Sequence, residues 1–154
     1  MTTIAYDGQT VAGDSRMVAS NVIQQAEVNK IFPLQHSAEF HLCGGGGVMS
    51  KVIAFRNWIE SGISSEFPGL ISSDEFDSEL FAIDHQGLLH VFERCATPIM
   101  ITDQLYAIGS GADFALGAMA NGSTARDAVR IAKKFDPWTG GKVKSFVTRL
   151  SSTT

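Results

Sequence analysis

Four consecutive glycines, Gly44–Gly47, follow the apolar run Phe40-His41-Leu42-Cys43 and precede a segment with helical periodicity. A helix interior loses roughly 1 kcal/mol for each glycine in place of alanine, so this run excludes one continuous helix through the first third of the chain. The expectation is a short strand over 40–43 running into a flexible glycine connection. Beyond it, Val48, Val52, Phe55 and Ile59 recur at helical spacing, and Ser61-Gly62 supplies a stop.

The remaining elements fall around this break. Thr2–Tyr6 and Thr10–Asp14 read as two strands joined by Asp7-Gly8-Gln9. Residues 15–27 lack a period and are expected to be a loop or irregular strand, and Pro33 keeps 29–34 extended. A loop over 63–77 leads to a second hairpin, Glu79–Asp84 and Leu88–Arg94, around His85-Gln86-Gly87. A strand over 105–108 and helices over 112–120 and 125–135 follow, Thr124 and Asp127 having capping-box spacing. Asp136–Gly141 breaks the second helix before a last strand, Val143–Leu150. Hairpin strands with helices in two separate groups predict an α+β fold with antiparallel sheets, a single domain over 1–154 and a flexible tail over 151–154.

Composition narrows the function. The net charge is -4 and the Lys and Arg residues are scattered, which argues against nucleic acid as a partner. Cys43 and Cys95 form no CxxC, and His36, His41, His85 and His90 show no ligand spacing, so no metal, cofactor or disulfide framework is expected. No segment approaches the ~20 apolar residues of a membrane helix. The expectation is a cytoplasmic protein with free thiols.

Thr2 directly follows Met1. Removal of Met1 would leave an α-amine beside the threonine's own hydroxyl. With a reference pKa of about 7.7–8.0, that amine can accept the hydroxyl proton during attack, whereas a lysine at ~10.4 stays protonated. Taken alone, Met-Thr reads as the first residues of an ordinary strand. Asp14 and Lys30 taken alone read as a structural or surface ion pair, and the glycine run taken alone as a flexible strand-to-helix connection or an anion cradle at a helix N-terminus. A P-loop is excluded because Ser50-Lys51 has the wrong order.

The order of several motifs gives these residues a context. Thr2-Thr3-Ile4-Ala5 and Val11-Ala12-Gly13-Asp14-Ser15-Arg16 resemble the opening of proteasome β subunits and the bacterial HslV-type peptidase. Asn29-Lys30-Ile31, Leu42-Cys43-Gly44-Gly45, Ala107-Ile108-Gly109-Ser110-Gly111 and Asp136-Pro137-Trp138-Thr139-Gly140-Gly141 follow in the order of that family. Each motif is short; their order and spacing together are specific.

The resemblance implies the N-terminal-nucleophile (Ntn) hydrolase fold, a four-layer αββα sandwich with two antiparallel sheets. It implies Thr2 as nucleophile, Asp14 and Lys30 as the charged pair beside it, and Gly44 as the backbone donor to the oxyanion. It implies Ser110, Asp136 and Thr139 as supports of the threonine amine, with Thr139 in place of the family's more usual serine. Leu42 matches the family position at the base of the specificity pocket, which suggests apolar substrate side chains, and the resemblance makes Gly45 a second substrate-binding position. The activity implied is threonine-type hydrolysis of peptide bonds in peptides or unfolded proteins. Its setting would be a homo-oligomeric ring, served in the family by an ATPase unfoldase ring. Two other readings keep the fold: hydrolysis of a small-molecule amide, and a non-catalytic ring or scaffold subunit.

Overall fold

The structure, a computed structural model, describes residues 2–63, 66–68, 78–93, 95–102 and 104–149. Most of the loop expected over 63–77, the tail over 151–154 and Met1 lie outside the described residues. Strand β1 (Thr3–Tyr6) and β2 (Thr10–Gly13) form the expected opening hairpin. Asp7 fixes the turn: one carboxylate oxygen accepts from the Gln9 N–H at 2.8 Å and the Thr10 N–H at 2.7 Å. The other accepts from the Thr10 hydroxyl at 2.9 Å and from the Ala125 N–H at 2.9 Å, tying the turn to the start of a distant helix.

Two antiparallel sheets carry most of the remaining strands. β10 (Tyr106–Gly109), β1, β2 and β11 (Lys144–Val147) make the first, in that order. The second runs β5 (Ile31–Pro33), β6 (Phe40–Gly47), β7 (Ser78–Asp84), β8 (Leu89–Phe92), β9 (Ile99–Met100). β6 pairs with β7 from Phe40 to Gly47. The strand expected to stop at Cys43 therefore continues through all four glycines, because Leu80, Phe81 and the neighbouring residues of β7 supply a ladder for them.

A second difference lies in the stretch expected to be irregular. There β3 (Met17–Ala19) and β4 (Val22–Gln25) form a separate hairpin, with Ser20 at φ 50° and Asn21 at φ 65°. Two successive positive φ values are what a two-residue hairpin turn needs.

Side-chain alternation on the strands builds the cores. Ile4, Tyr6, Val11 and Ile108 of the first sheet pack on Ile31, Leu42, Phe81, Ile83 and Leu89 of the second. The opposite face of the second sheet packs Cys43, Leu80 and Phe92 against Val52, Phe55, Trp58 and Ile59 of α1 (Met49–Glu60). On the opposite face of the first sheet, small residues Ala5 and Ala12 admit α2 (Ala112–Ala120) and α3 (Ala125–Phe135), which present Ala115, Met119, Ala128 and Val129. α3 is well terminated. The Thr124 side chain accepts from the Asp127 N–H at 3.2 Å, and Lys133 and Lys134 occupy the last turn, where cations complement the helix dipole.

Candidate active site

Asp14, just past the end of β2, is the centre of a buried polar cluster. One of its oxygens accepts from Lys30 Nζ at 2.9 Å, from the Thr3 N–H at 3.1 Å and from the Thr2 hydroxyl at 3.3 Å. The other accepts from the Gly140 N–H at 3.0 Å. The Lys30–Asp14 pair is enclosed, with side chains 2% and 0% exposed, and Thr2 itself is 1% exposed. The strands explain the convergence. Thr2 leads into β1, Asp14 leaves its hairpin partner β2, and Lys30 precedes β5 in the facing sheet.

Burial holds the Lys30 ammonium below the ordinary lysine value. The Arg16 guanidinium pushes the same way, while Asp14 and, more weakly, Asp136 oppose it. This lysine is therefore more easily deprotonated than one at the surface, while its short contact to Asp14 fixes its position.

A second cluster meets Thr2 from the other side. The Ser110 hydroxyl lies 2.6 Å from Asp136 Oδ2 and 3.3 Å from the Thr2 carbonyl oxygen, and its one proton can serve either acceptor. The Thr139 hydroxyl donates to the same Asp136 oxygen. That leaves the Thr3 hydroxyl as donor in the 2.6 Å contact between Thr3 and Thr139. Burial alone would raise the Asp136 pKa, but the bonds from Ser110, Thr139 and the Trp138 N–H together hold it below the ordinary carboxylate value.

Thr2 and Lys30 also line a cleft of about 300 Å³, with Arg16, Met17, Val18, Ala19, Gly47, Val48 and Met49. Its walls are mostly apolar. The structure thus brings Thr2, Asp14, Lys30, Ser110, Asp136 and Thr139 into two connected clusters around one residue. It does not bring Leu42, Gly44 or Gly45 to the cleft. Leu42 points into the core between the sheets. Gly44 lies inside the ladder, opposite Ile31 on one side and Phe81 on the other. The Gly45 N–H is bonded to the Lys30 carbonyl at 3.1 Å.

Several cleft residues escape sequence reasoning: Arg16, Gly47 and the apolar wall from Met17–Ala19, Val48 and Met49. A signal for part of that wall was present, since Met17-Val18-Ala19 and Val22-Ile23 flank Ser20-Asn21 as strands flank a tight turn. Among the described residues, no three His, Cys, Asp or Glu side chains gather where they could hold a metal ion.

Among the described residues, the facing antiparallel sheets and the three helices make up an HslV-like fold. The particular comparison is eukaryotic HslV from Trypanosoma brucei, whose crystal structure matches with a TM-score of 0.69 at 18% identity. The match covers 95% of this chain and 98% of that one. No protein-family model and no curated protein matches the sequence.

Proposed function

We propose that this chain is a threonine-type peptidase subunit with Thr2 as its nucleophile. The observation that carries this reading is the convergence of the Thr2 hydroxyl and the Lys30 ammonium on one oxygen of Asp14, at the wall of an apolar-lined cleft. A structural ion pair alone gives no reason for a threonine hydroxyl to share that oxygen beside a cleft.

In the proposed reaction, Met1 is removed and the freed Thr2 amine takes the hydroxyl proton as Oγ1 attacks a peptide carbonyl carbon. The oxyanion needs a fixed N–H donor. We assign this role to Gly47, which lines the cleft, in place of Gly44, which the sequence resemblance suggests. The ammonium returns its proton to the leaving nitrogen as the C–N bond breaks, leaving an ester on Thr2. Water, deprotonated by the same amine, then hydrolyses the ester and restores the hydroxyl. Lys30 lowers the pKa of the amine by its positive charge, and the cluster of Ser110, Asp136 and Thr139 holds the Thr2 main chain in place.

Preference for apolar substrate side chains follows from Met17, Val18, Val48 and Met49 in the wall, with no contribution from Leu42. The separate cores on the outer faces of both sheets support reading the chain as one four-layer αββα domain over 1–154. The likeness to HslV supports a homo-oligomeric ring acting on unfolded protein, with an ATPase ring as partner. Exposed Phe114 and Phe135, stacked at 5.6 Å on α2 and α3, are suited to a subunit contact.

The test is hydrolysis of fluorogenic peptides with leucine, arginine or glutamate before the scissile bond, by wild type and Thr2→Ala. Turnover of the leucine peptide that Thr2→Ala abolishes supports the reading. Equal turnover by the two proteins contradicts it.

A further inference from the structure

β6 sends alternate residues to opposite faces, so Leu42, Gly44 and Gly46 look toward the first sheet while Cys43 and Gly45 look toward α1. The glycines are not equivalent. A Cβ at Gly44 would run into the Lys30 carbonyl oxygen, and one at Gly45 into the Glu79 carbonyl oxygen, so backbone closes both positions. At Gly46 the obstacle is Thr2. A Cβ there would lie 2.5 Å from Thr2 Cγ2 and 2.9 Å from Thr2 Cβ, with Thr2 Oγ1 farther off at 3.6 Å.

The methyl group of Thr2 therefore occupies the space that a side chain at position 46 would fill. Its hydroxyl is turned the other way, toward Asp14 at 3.3 Å. Threonine is stiff about χ1, so seating the methyl fixes the direction of the hydroxyl. We propose that Gly46 is a positioning residue for Thr2: the missing side chain forms a niche that takes the Thr2 methyl and aims Oγ1 at Asp14 and the cleft. The niche itself is a packing feature; its value to catalysis rests on the peptidase reading above.

Three variants test it: Gly46→Ala, Thr2→Ser and the double variant. Serine lacks the methyl, so the second substitution removes the group that alanine at position 46 would strike. Two readouts are needed, the melting temperature and the rate of adduct formation with a peptide epoxyketone followed by intact mass. Gly46→Ala overpacks the niche and should lower Tm by ~3–10 °C. It should also slow adduct formation by ~10²-fold through a misplaced nucleophile. In the Thr2→Ser background the same substitution should lose less than half as much in Tm and leave the adduct rate within a few-fold of Thr2→Ser.

The proposal is overturned if Gly46→Ala melts within ~1 °C of wild type. It is also overturned if the substitution lowers Tm equally in the two backgrounds. Should Gly46→Ala fail to fold, recovery of folding in the double variant supports the niche and continued failure rejects it. A wild-type protein that forms no adduct removes the peptidase reading, while the melting cycle still decides whether the niche exists.

Discussion

Replacing Asp14 by Asn changes almost no volume, yet it should be among the most damaging single substitutions in this protein. The carboxylate has only donors around it: Lys30 Nζ, the Thr3 N–H and the Thr2 hydroxyl on one oxygen, the Gly140 N–H on the other. An amide offers one acceptor oxygen and one NH2, so in either orientation a donor faces a donor. It also leaves Lys30, 3% exposed, without its charge partner Asp14. Removing one member of an enclosed ion pair costs about 3–5 kcal/mol, a large share of the ~5–15 kcal/mol that holds a domain folded. With a urea slope of ~1.5–2 kcal/mol/M, the unfolding midpoint should fall by ~1.5–3 M. Lys30→Met in the same background removes the cation that Asp14 balanced, so the double variant should be ~1–3 kcal/mol more stable than the sum of the single effects. A midpoint for Asp14→Asn within ~0.3 M of wild type, or strict additivity with Lys30→Met, would refute the account of this cluster.

Other outcomes follow from single features. Hydrogen bonds from Ala125, Thr10 and Gln9 hold Asp7 below its ordinary 3.8 against the opposing effect of burial. Its stabilising contribution is therefore complete above the unfolded value and is lost as pH falls through the lower folded one. Asp7→Ala should consequently lower stability at neutral pH and flatten the acid limb of a stability curve measured from pH 6 to 2. Burial pushes the Cys43 thiol up to about 12, whereas Cys95 is exposed. A thiol reagent should modify one cysteine quickly in the native protein and two after unfolding, and rapid modification of both in the native state would contradict the fold around β6. Thr124→Ala removes the N-cap of α3 and should cost about 1 kcal/mol by chemical denaturation.

Much of this architecture was legible in the sequence because its signals are local. The hairpin at Asp7-Gly8-Gln9, the helical spacing of Val52, Phe55 and Ile59, and the Thr124–Asp127 cap depend on residues within a few positions of one another. The glycine run misled for a related reason. Glycine has no intrinsic preference for a strand, and Gly44–Gly47 are held extended by pairing with Ser78–Phe81, more than thirty positions away. That displacement accounts for the difference at the site. Extending β6 to Gly47 leaves Leu42 and Gly44 inside the sheet and brings Gly46 to Thr2 and Gly47 to the cleft. The residues named from motif order, Thr2, Asp14, Lys30, Ser110, Asp136 and Thr139, lie together in the structure; of the cleft walls only Met17–Ala19 carried a local signal, that of a strand beside a tight turn. Met17, on the β3–β4 hairpin, and Met49, at the start of α1, line one cleft although they are more than thirty positions apart, a long-range arrangement that no local window records.

As a nucleophile, Thr2 must carry a free amine beside its hydroxyl. The most direct measurement is the intact mass of the purified protein before and after incubation with a peptide epoxyketone, which needs both groups of an N-terminal threonine. The expected result is a starting mass lacking Met1, then one stoichiometric adduct that Thr2→Ala abolishes and Lys30→Met slows. A protein that keeps Met1 and forms no adduct, or one that Thr2→Ala leaves equally reactive, would contradict it.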